Sequence, residues 1–307
     1  MPSSESGTVY TSPISVEGSV VIKSKAHKDG YLPSQPVTKV YSRTSPDLQD
    51  FTSNLPLIIL HQFDTPISPG DRSQASAVFI DKNLGDNTHL LGEIALQSDI
   101  LANIRGNSSQ YFYPKKMFGF HLIDEYTRNR EEQLFGLPAE HNWILNGPYG
   151  DKTLMRNAMA YNMANGFGKC SPRTRFVEVF LHSGSGEVNS SHYHGVYLLV
   201  ERIKWGENRV NITKIESNDN SEPEVSGRYI IKKKTVLTMG RRVLKLSVVR
   251  IWRSQGLREQ MSHRHKKPGY RTSSTILKLR CMAPIIPILP AAMPPLLMYN
   301  RLLTIFC

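Results

Sequence analysis

The composition of the chain changes abruptly after residue 234, and this change limits what each part can fold into. Residues 235–307 contain thirteen of the 38 lysines and arginines but one of the 26 acidic residues, so this part alone carries the formal net charge of +12. Residues 1–234 therefore hold 25 basic and 25 acidic side chains and sum to zero. A basic chain normally points to nucleic acid or an anionic membrane, but here the first 234 residues give no such indication.

The tail lacks the pattern of a membrane anchor or of a nucleic-acid-binding arm. Residues 281–298 are uncharged and about as long as a membrane span. They contain five prolines, which remove backbone donors and break helices. The basic residues of the tail follow no nucleic-acid-binding motif. We therefore predict no membrane span and no nucleic-acid partner.

Residues 8–41 have the pattern of short antiparallel strands. Apolar and polar residues alternate around Val20 and Ile22, and Glu17-Gly18 and Asp29-Gly30 supply turns. Too few strands are present to close a sandwich, so residues 1–41 are predicted to be the end of a β-sandwich module. The stretch IKSKAHKDGYLPS resembles the chitobiase-type C-terminal β module, which implies a spacer in a secreted protein; a β-hairpin linker is the alternative.

Residues 42–234 are predicted to be a linker followed by a folded domain. The linker, residues 42–53, is rich in Ser, Thr and Pro. The domain begins with a buried strand, LPLIIL, and its patterns predict further strands. The predicted strands lie at residues 55–60, 76–83, on both sides of a polar turn within 104–122, and in an antiparallel hairpin of 174–181 and 194–203.

One main helix is predicted between residues 151 and 166. Asp151 is a suitable N-cap and Gly166 a suitable stop. Met155, Met159 and Met163 share one face of that helix, and we expect them to lie in the core. Trp143 and Tyr149, just before the helix, are also expected to pack rather than to bind a ligand.

Neither the cysteines nor the histidines predict a metal centre. The three cysteines form no disulfide framework. His182, His192 and His194 surround a Gly/Ser-rich loop, which is more typical of a solvated hairpin tip than of a zinc site. The N-terminus has no signal-peptide pattern, so the protein is either cytosolic or begins upstream of Met1.

Four blocks in the domain resemble the CotH family, the spore-coat-H-type protein kinases. They are IRGNSSQYFYPKKMFGF, LFGLPAEHNWILNGPYGDKTLMRNAMAY, PRTRFVEVFL and YHGVYLLVERIKWGENRVNI, and the resemblance runs from about Phe51 to Lys233. It implies an α+β fold, a divergent and incomplete protein-kinase-like N-lobe with a small β-sandwich remnant before it. It also implies ATP with Mg or Mn as cofactor and phosphorylation of Ser/Thr in a protein substrate such as a coat or surface protein.

The resemblance also implies a nucleotide-binding role for four residues. Arg105 lies in a turn whose N–H groups and hydroxyls suit an anion. Lys115 and Lys116 lie on a predicted strand and face opposite ways, so only one of them can pair with ATP phosphates. Glu201 is expected to meet the nucleotide or to order a lysine, unless it forms a surface ion pair. No Gly-rich phosphate loop is present, as in the family.

Three further residues are expected to support the predicted cleft. They are Arg156, Asn157 and Lys204. No catalytic residue and no metal ligand is assigned, because the family places its catalytic and metal-binding aspartates after SGRYIIKK and this chain has no aspartate after Asp219.

The tail is predicted to be out of frame. A slip of the reading frame at Lys232–Lys234 restores acidic residues and an amphipathic helix, AWIQNFLNDFEAAL, to the translated tail. Residues 235–307 are therefore expected not to form a native lobe, and this chain is expected to be inactive. The parent protein is expected to be extracellular, on the cell surface or in the spore coat. The alternatives are a structural surface protein or a carbohydrate-associated protein without catalysis.

Overall fold

The structure is a computed structural model that describes residues 7–63, 65–81 and 87–212, together with the backbone of 230–238 and 241–249. The chain divides into two units, Met1–Asn211 and Ile212–Cys307. The elements in chain order are β1 (Val20–Ser24), β2 (Val37–Tyr41), a 3₁₀-helix (Pro46–Leu48), β3 (Thr52–Ser53), β4 (Leu57–Phe63), β5 (Ser73–Ile80), β6 (Thr88–His89), β7 (Ile94–Arg105), α1 (Ser108–Phe112), β8 (Met117–Ile123), β9 (Glu132–Leu134), β10 (Leu137–Glu140), β11 (Asn142–Asn146), α2 (Arg156–Gly166), β12 (Thr174–Ser183), a second 3₁₀-helix (Ser190–His192), β13 (Tyr193–Glu201), β14 (Ile230–Thr238) and β15 (Arg241–Val249).

Seven strands of the first unit close into a β-barrel. Their order is β11-β13-β12-β4-β5-β7-β8, and pairing of β8 with β11 closes the ring. Neighbouring strands are antiparallel except β12 and β4, which run parallel. Among the described residues, 43% lie in strands and 11% in helices. The predicted fold class, an α+β kinase-like N-lobe, was therefore wrong, because distant strand pairings that no local pattern reveals produce a mainly β barrel.

The barrel interior is filled by alternate side chains of its strands. On β4, Ile58 and Leu60 point inward, whereas Leu57 and Ile59 belong to a second core on the outer face, as the two-residue period of a strand requires. Phe79, Phe120, Trp143 and Tyr197 fill much of the inside, among other apolar residues. An interior packed in this way is a core, not a channel.

The segment before the barrel covers the outer face of β4, β5 and β12. Val40 of β2 and Leu48 of the first 3₁₀-helix pack against Leu57, Ile59 and other residues of that face. The Gln97 amide accepts from the backbone N–H of Val40 and donates to its carbonyl oxygen. The two-stranded sheet of β1 and β2 is thereby attached to the barrel.

Helix α2 packs on the outside of β12 and β13 through Ala158 and Tyr161. Ala158 is buried against Leu198 and Val200. The methionine stripe lies elsewhere on the helix: Met155, Met159 and Met163 are 49%, 54% and 56% exposed. The prediction that these methionines are core was therefore wrong, because helical periodicity identifies an apolar face but not which face meets the barrel.

The local strand and helix predictions were largely confirmed. The last four residues of LPLIIL lie in β4, and the predicted hairpin is the antiparallel pair β12–β13. Helix α2 begins at Arg156, five residues after the predicted cap. The Asp151 carboxylate still accepts from the backbone N–H of Arg156, at 2.9 Å, and of Thr153. Asp151 therefore organises the turn that leads into the helix.

Strands β14 and β15 form an antiparallel pair in the second unit, with Ile230 opposite Val249 and Thr238 opposite Arg241. The remaining tail positions lie outside the described residues, so the out-of-frame tail stays a prediction, as do the domain boundaries at residues 41, 53 and 234. Within the described part of the chain, no helix is long and apolar enough to cross a membrane.

Candidate functional site

The two ends of the barrel separate the residues that the sequence had grouped into one site. At one end, β7 finishes at Arg105, opposite Met117 at the start of β8. At the other end, β13 finishes at Glu201, opposite Trp143 near the start of β11. We call these the Lys115 end and the Glu201 end. Arg105, Lys115 and Lys116 lie at the first, and Glu201 lies at the second.

Lys115 lies across the mouth of the barrel at the Lys115 end. Its Nζ donates to the Val196 carbonyl oxygen at 2.7 Å and lies 4.4 Å from the centroid of the Tyr197 ring. Burial lowers the pKa of this amine. In the described part of the chain it has no carboxylate within ion-pair distance, so its charge is offset by a carbonyl dipole and an aromatic face alone.

Two glycines make room for Lys115. A Cβ atom on Gly147 would lie 3.2 Å from Lys115 Cγ and 3.0 Å from Tyr197 Cε1. Gly195 has φ of +80°, and a Cβ there would lie 3.5 Å from Lys115 Nζ. His194 is close enough for the Lys115 charge to lower its pKa further, after burial has done so. Lys115 therefore occupies a slot that side chains at positions 147 and 195 would narrow.

Lys116 has a different, local role. Its Nζ donates to the carbonyl oxygens of Gln110 and Tyr113, at 2.7 and 2.9 Å. These acceptors belong to α1 and to the residue that follows it, and an ammonium group commonly satisfies carbonyls at such a helix end. The Lys116 carbonyl in turn accepts from the Tyr197 hydroxyl at 2.9 Å. Lys116 thus ties α1 to the barrel, and Lys115 is the lysine that covers the mouth.

Arg105 lies at the same end but beside α2. Its Cδ would lie 3.7 Å from a Cβ on Gly119. Burial raises the pKa of Tyr161 on α2, and the charge of Arg105 opposes that shift. Arg156 and Asn157 are exposed at the start of the same helix, and Arg156 Nε lies 3.5 Å from the Asp151 carboxylate.

Glu201 closes the opposite end as part of a buried ion cluster. Its carboxylate accepts from the backbone N–H and the Nε of Arg173, each at 2.9 Å, and from Arg209 Nη1 at 2.6 Å. The guanidinium of Arg209 lies 5.2 Å from the Trp143 ring centroid, and its side chain is 3% exposed. The alternative considered for Glu201, a surface ion pair with Arg202 or Lys204, does not match these contacts, because its partners are Arg173, just before β12, and Arg209, in the segment after β13.

Lys204 belongs to a group of ions around Glu140 that adjoins the Glu201 cluster, since Arg209 Nε lies 3.8 Å from the Glu140 carboxylate. Its Nζ donates to Glu140 at 2.7 Å. Burial opposes ionisation of Glu140, but hydrogen bonds from His141 and Lys204 outweigh it and lower the pKa of Glu140 to about 2. Among the described residues, Glu131, Glu140 and His141 place ligand-capable atoms within 4.8 Å of one another. The Lys204 ammonium already neutralises Glu140, so this group does not fit a divalent cation.

A row of polar side chains lies between the barrel and the segment that precedes it. Its central residue, His61, was not identified from the sequence. Ser42 Oγ is 2.6 Å from His61 Nε2, and His61 Nδ1 is 3.0 Å from His182 Nδ1. The His192 ring lies edge-on to His182, with centroids 4.7 Å apart. Burial, and then the charges of His182 and His192, lower the pKa of His61 to about 3. The one signal in the sequence was a histidine inside the apolar run of β4.

Comparison with known families gives one match, which begins in the first unit and extends into the second. Residues 102–241 match a family model described as CotH kinase protein, which confirms the resemblance indicated by the sequence blocks. No curated protein matches the chain. The family match supports a kinase-like function in general terms.

Proposed function

We propose that this chain, which matches the CotH kinase family model over residues 102–241, is the nucleotide-holding part of a kinase-like phosphotransferase, with Lys115 as the residue that binds the phosphates of ATP. The observation that carries the proposal is the state of the Lys115 amine. It is partly buried, which lowers its pKa, it lies at the rim of the barrel, and it is not paired with a carboxylate in the described residues.

An anion bound at this rim would give the Lys115 amine a negatively charged partner. Partial burial disfavours the charged form of a lysine, and a phosphate oxygen nearby restores it through a charge-assisted hydrogen bond. Lysine commonly binds phosphates in this way, as a compact point charge. Arg105, at the same end, is the second candidate cation for a polyphosphate.

The other predicted site residues have structural partners, and we propose structural roles for them. Glu201 and Lys204 hold the ion clusters of the opposite end, Lys116 holds α1, and Arg156 pairs with Asp151 before α2. Asn157 is exposed beside Arg156.

Nucleotide binding by this chain does not require that it also transfers phosphate. Phosphoryl transfer needs carboxylates that hold Mg or Mn and a carboxylate near the substrate hydroxyl. The last aspartate of the sequence is Asp219, and the described carboxylate group of the Glu201 end does not fit a metal. We therefore propose nucleotide binding without efficient transfer. For the parent protein we propose metal-dependent phosphorylation of Ser/Thr in coat or surface proteins, outside the cell.

The test is binding of ATP to the full chain by titration calorimetry, with and without Mg²⁺. Loss of a charged hydrogen-bond partner costs about 1.5–3 kcal/mol, so Lys115→Met is expected to weaken ATP binding by about tenfold or more. Methionine keeps the apolar stem that packs on Tyr197. Lys204→Met, at the opposite end, is the matched control and should bind like the wild type.

Two results would contradict the proposal. One is a wild-type chain that is folded but binds no ATP at millimolar concentration. The other is equal affinity for the wild type and Lys115→Met. A parallel assay with ATP labelled on the γ-phosphate should show no transfer to casein or to the chain itself, and clear transfer would contradict the proposed inactivity.

A further inference from the structure

Strand β13 contains a β-bulge at its first residues. Val179 of β12 pairs with Gly195, and the next residue, Phe180, pairs with Tyr193. His194 is therefore an extra residue without a partner on β12. An extra residue of this kind bends its strand and redirects nearby side chains, and such bulges are frequent at the rims of barrels.

The bulge reverses the side-chain alternation of β13. Tyr197 lies in the interior core of the barrel, and unbroken alternation would place Tyr193, four residues earlier, on the same side. The Tyr193 ring instead packs against Phe180 of the outer core, with centroids 5.3 Å apart. His194 and Gly195 thus lie at the point where the strand turns over.

The bulge also places His194 close to the Lys115 amine. Lys115 Nζ donates to the Val196 carbonyl oxygen and would lie 3.5 Å from a Cβ on Gly195. Because consecutive Cα atoms are about 3.8 Å apart, the Cα of His194 lies within about 9 Å of this amine. An imidazole on that Cα can reach the same bound polyphosphate as the amine.

The surroundings of His194 disfavour its charged form. Partial burial lowers its pKa, and the positive charge of Lys115 and then that of His192 lower it further. Among the described residues, these two are the charged groups that act on the ring. A phosphate bound at Lys115 reverses the balance, because a nearby negative charge favours the imidazolium, whose two N–H groups both donate.

We infer that His194 is a further phosphate-binding residue of the Lys115 site and that it takes up a proton when a polyphosphate binds. The site then binds ATP more tightly at pH 6 than at pH 8. The inference rests on the proposed function, since it concerns the same site. It adds a dependence on pH that a site of lysine and arginine alone does not have.

The experiment is titration calorimetry of the full chain with ATP at pH 8, 7 and 6, in buffers of different ionisation enthalpy, so that bound protons are counted. A rise of one unit in the pKa of a group on binding corresponds to about tenfold in affinity. The affinity of the wild type relative to His194→Gln should therefore increase by about threefold to tenfold from pH 8 to pH 6. Comparison of the two proteins at each pH cancels the titration of ATP itself.

Two further variants complete the test. His194→Arg carries a permanent charge, so it should bind ATP more tightly than the wild type at pH 8 and take up fewer protons on binding. His27→Gln, at an exposed position between β1 and β2, should match the wild type in affinity and in proton uptake.

The outcomes separate this inference from the proposed function. Equal affinity and equal proton uptake for the wild type and His194→Gln, with unchanged melting curves, would overturn the inference; the Lys115 site would stand if Lys115→Met still weakened binding. An affinity of His194→Arg that rises as steeply as that of the wild type would also overturn it. A wild type that binds no ATP would overturn both proposals.

Discussion

Acid is expected to destabilise this protein well above the pH at which its carboxylates are protonated, because of His61. The pKa of His61 is lowered from 6.5 to about 3 by burial, whereas an unfolded chain takes up the proton near pH 6.5. Stability from the neutral imidazole is therefore complete above pH 6.5 and is lost as the pH falls towards 3. Because pH 5 lies about 1.5 units below the unfolded pKa, the free energy of unfolding should be lower there than at neutral pH by about 2 kcal/mol.

The measurement is urea denaturation between pH 7.5 and pH 5, monitored by tryptophan fluorescence, to which the buried Trp143 contributes. Glu140 and Asp47 have pKa values lowered to about 2, so they remain charged in this range and the histidines dominate the pH dependence. His61→Gln should lose about 2 kcal/mol less than the wild type across this range. The exposed His27→Gln should lose as much as the wild type. Identical pH dependence in His61→Gln and wild type would refute the argument.

Two more predictions concern the ion cluster and the helix face. Glu201→Gln removes the nearer carboxylate of the buried Arg209, whose other acidic neighbour, Glu140, is 3.8 Å away. It should cost about 3–5 kcal/mol of unfolding free energy, whereas Glu187→Gln, which breaks an exposed pair, should cost less than about 1 kcal/mol. Equal losses in urea denaturation would contradict the buried cluster. Met159→Gln, on the exposed face of α2, should change stability by less than about 0.5 kcal/mol, whereas Leu198→Ala under the same helix should cost about 2–5 kcal/mol. Comparable losses of stability for these two variants would indicate that the methionine stripe packs in the core after all.

The strands were predictable where their signal is local. β4 begins with four consecutive apolar residues, Leu57–Leu60, and the residues of β12 and β13 alternate on both sides of a short loop, so chain neighbours alone indicate the elements. The barrel was not predictable, because it depends on the pairing of β8 with β11 and of β12 with β4. Those pairings join distant parts of the chain, and the alternation within a strand does not name its partner.

The candidate site was predictable in its residue types but not in its geometry. Lys115 and Lys116 were predicted to diverge because they would lie on a strand, but both lie in the turn just before β8. Which of them covers the barrel mouth depends on Tyr197 and on the end of α1. Glu201 carried the signal of a functional carboxylate at a strand end. Its position at the other end of the barrel from Lys115, and its pairing with Arg209, follow from the register of β13 in the closed barrel.

The sequence alone determined that the charge excess lies after residue 234, that the first part folds with many short strands, and that the chain resembles a kinase family. These conclusions need composition, alternation and motif order, all of which are local properties. Tertiary structure alone decided the barrel, the exposed face of α2 and the separation of Lys115 from Glu201. These features depend on which surfaces pack together. That packing is decided by the free energies of contacts between residues far apart in the chain, which no single segment specifies.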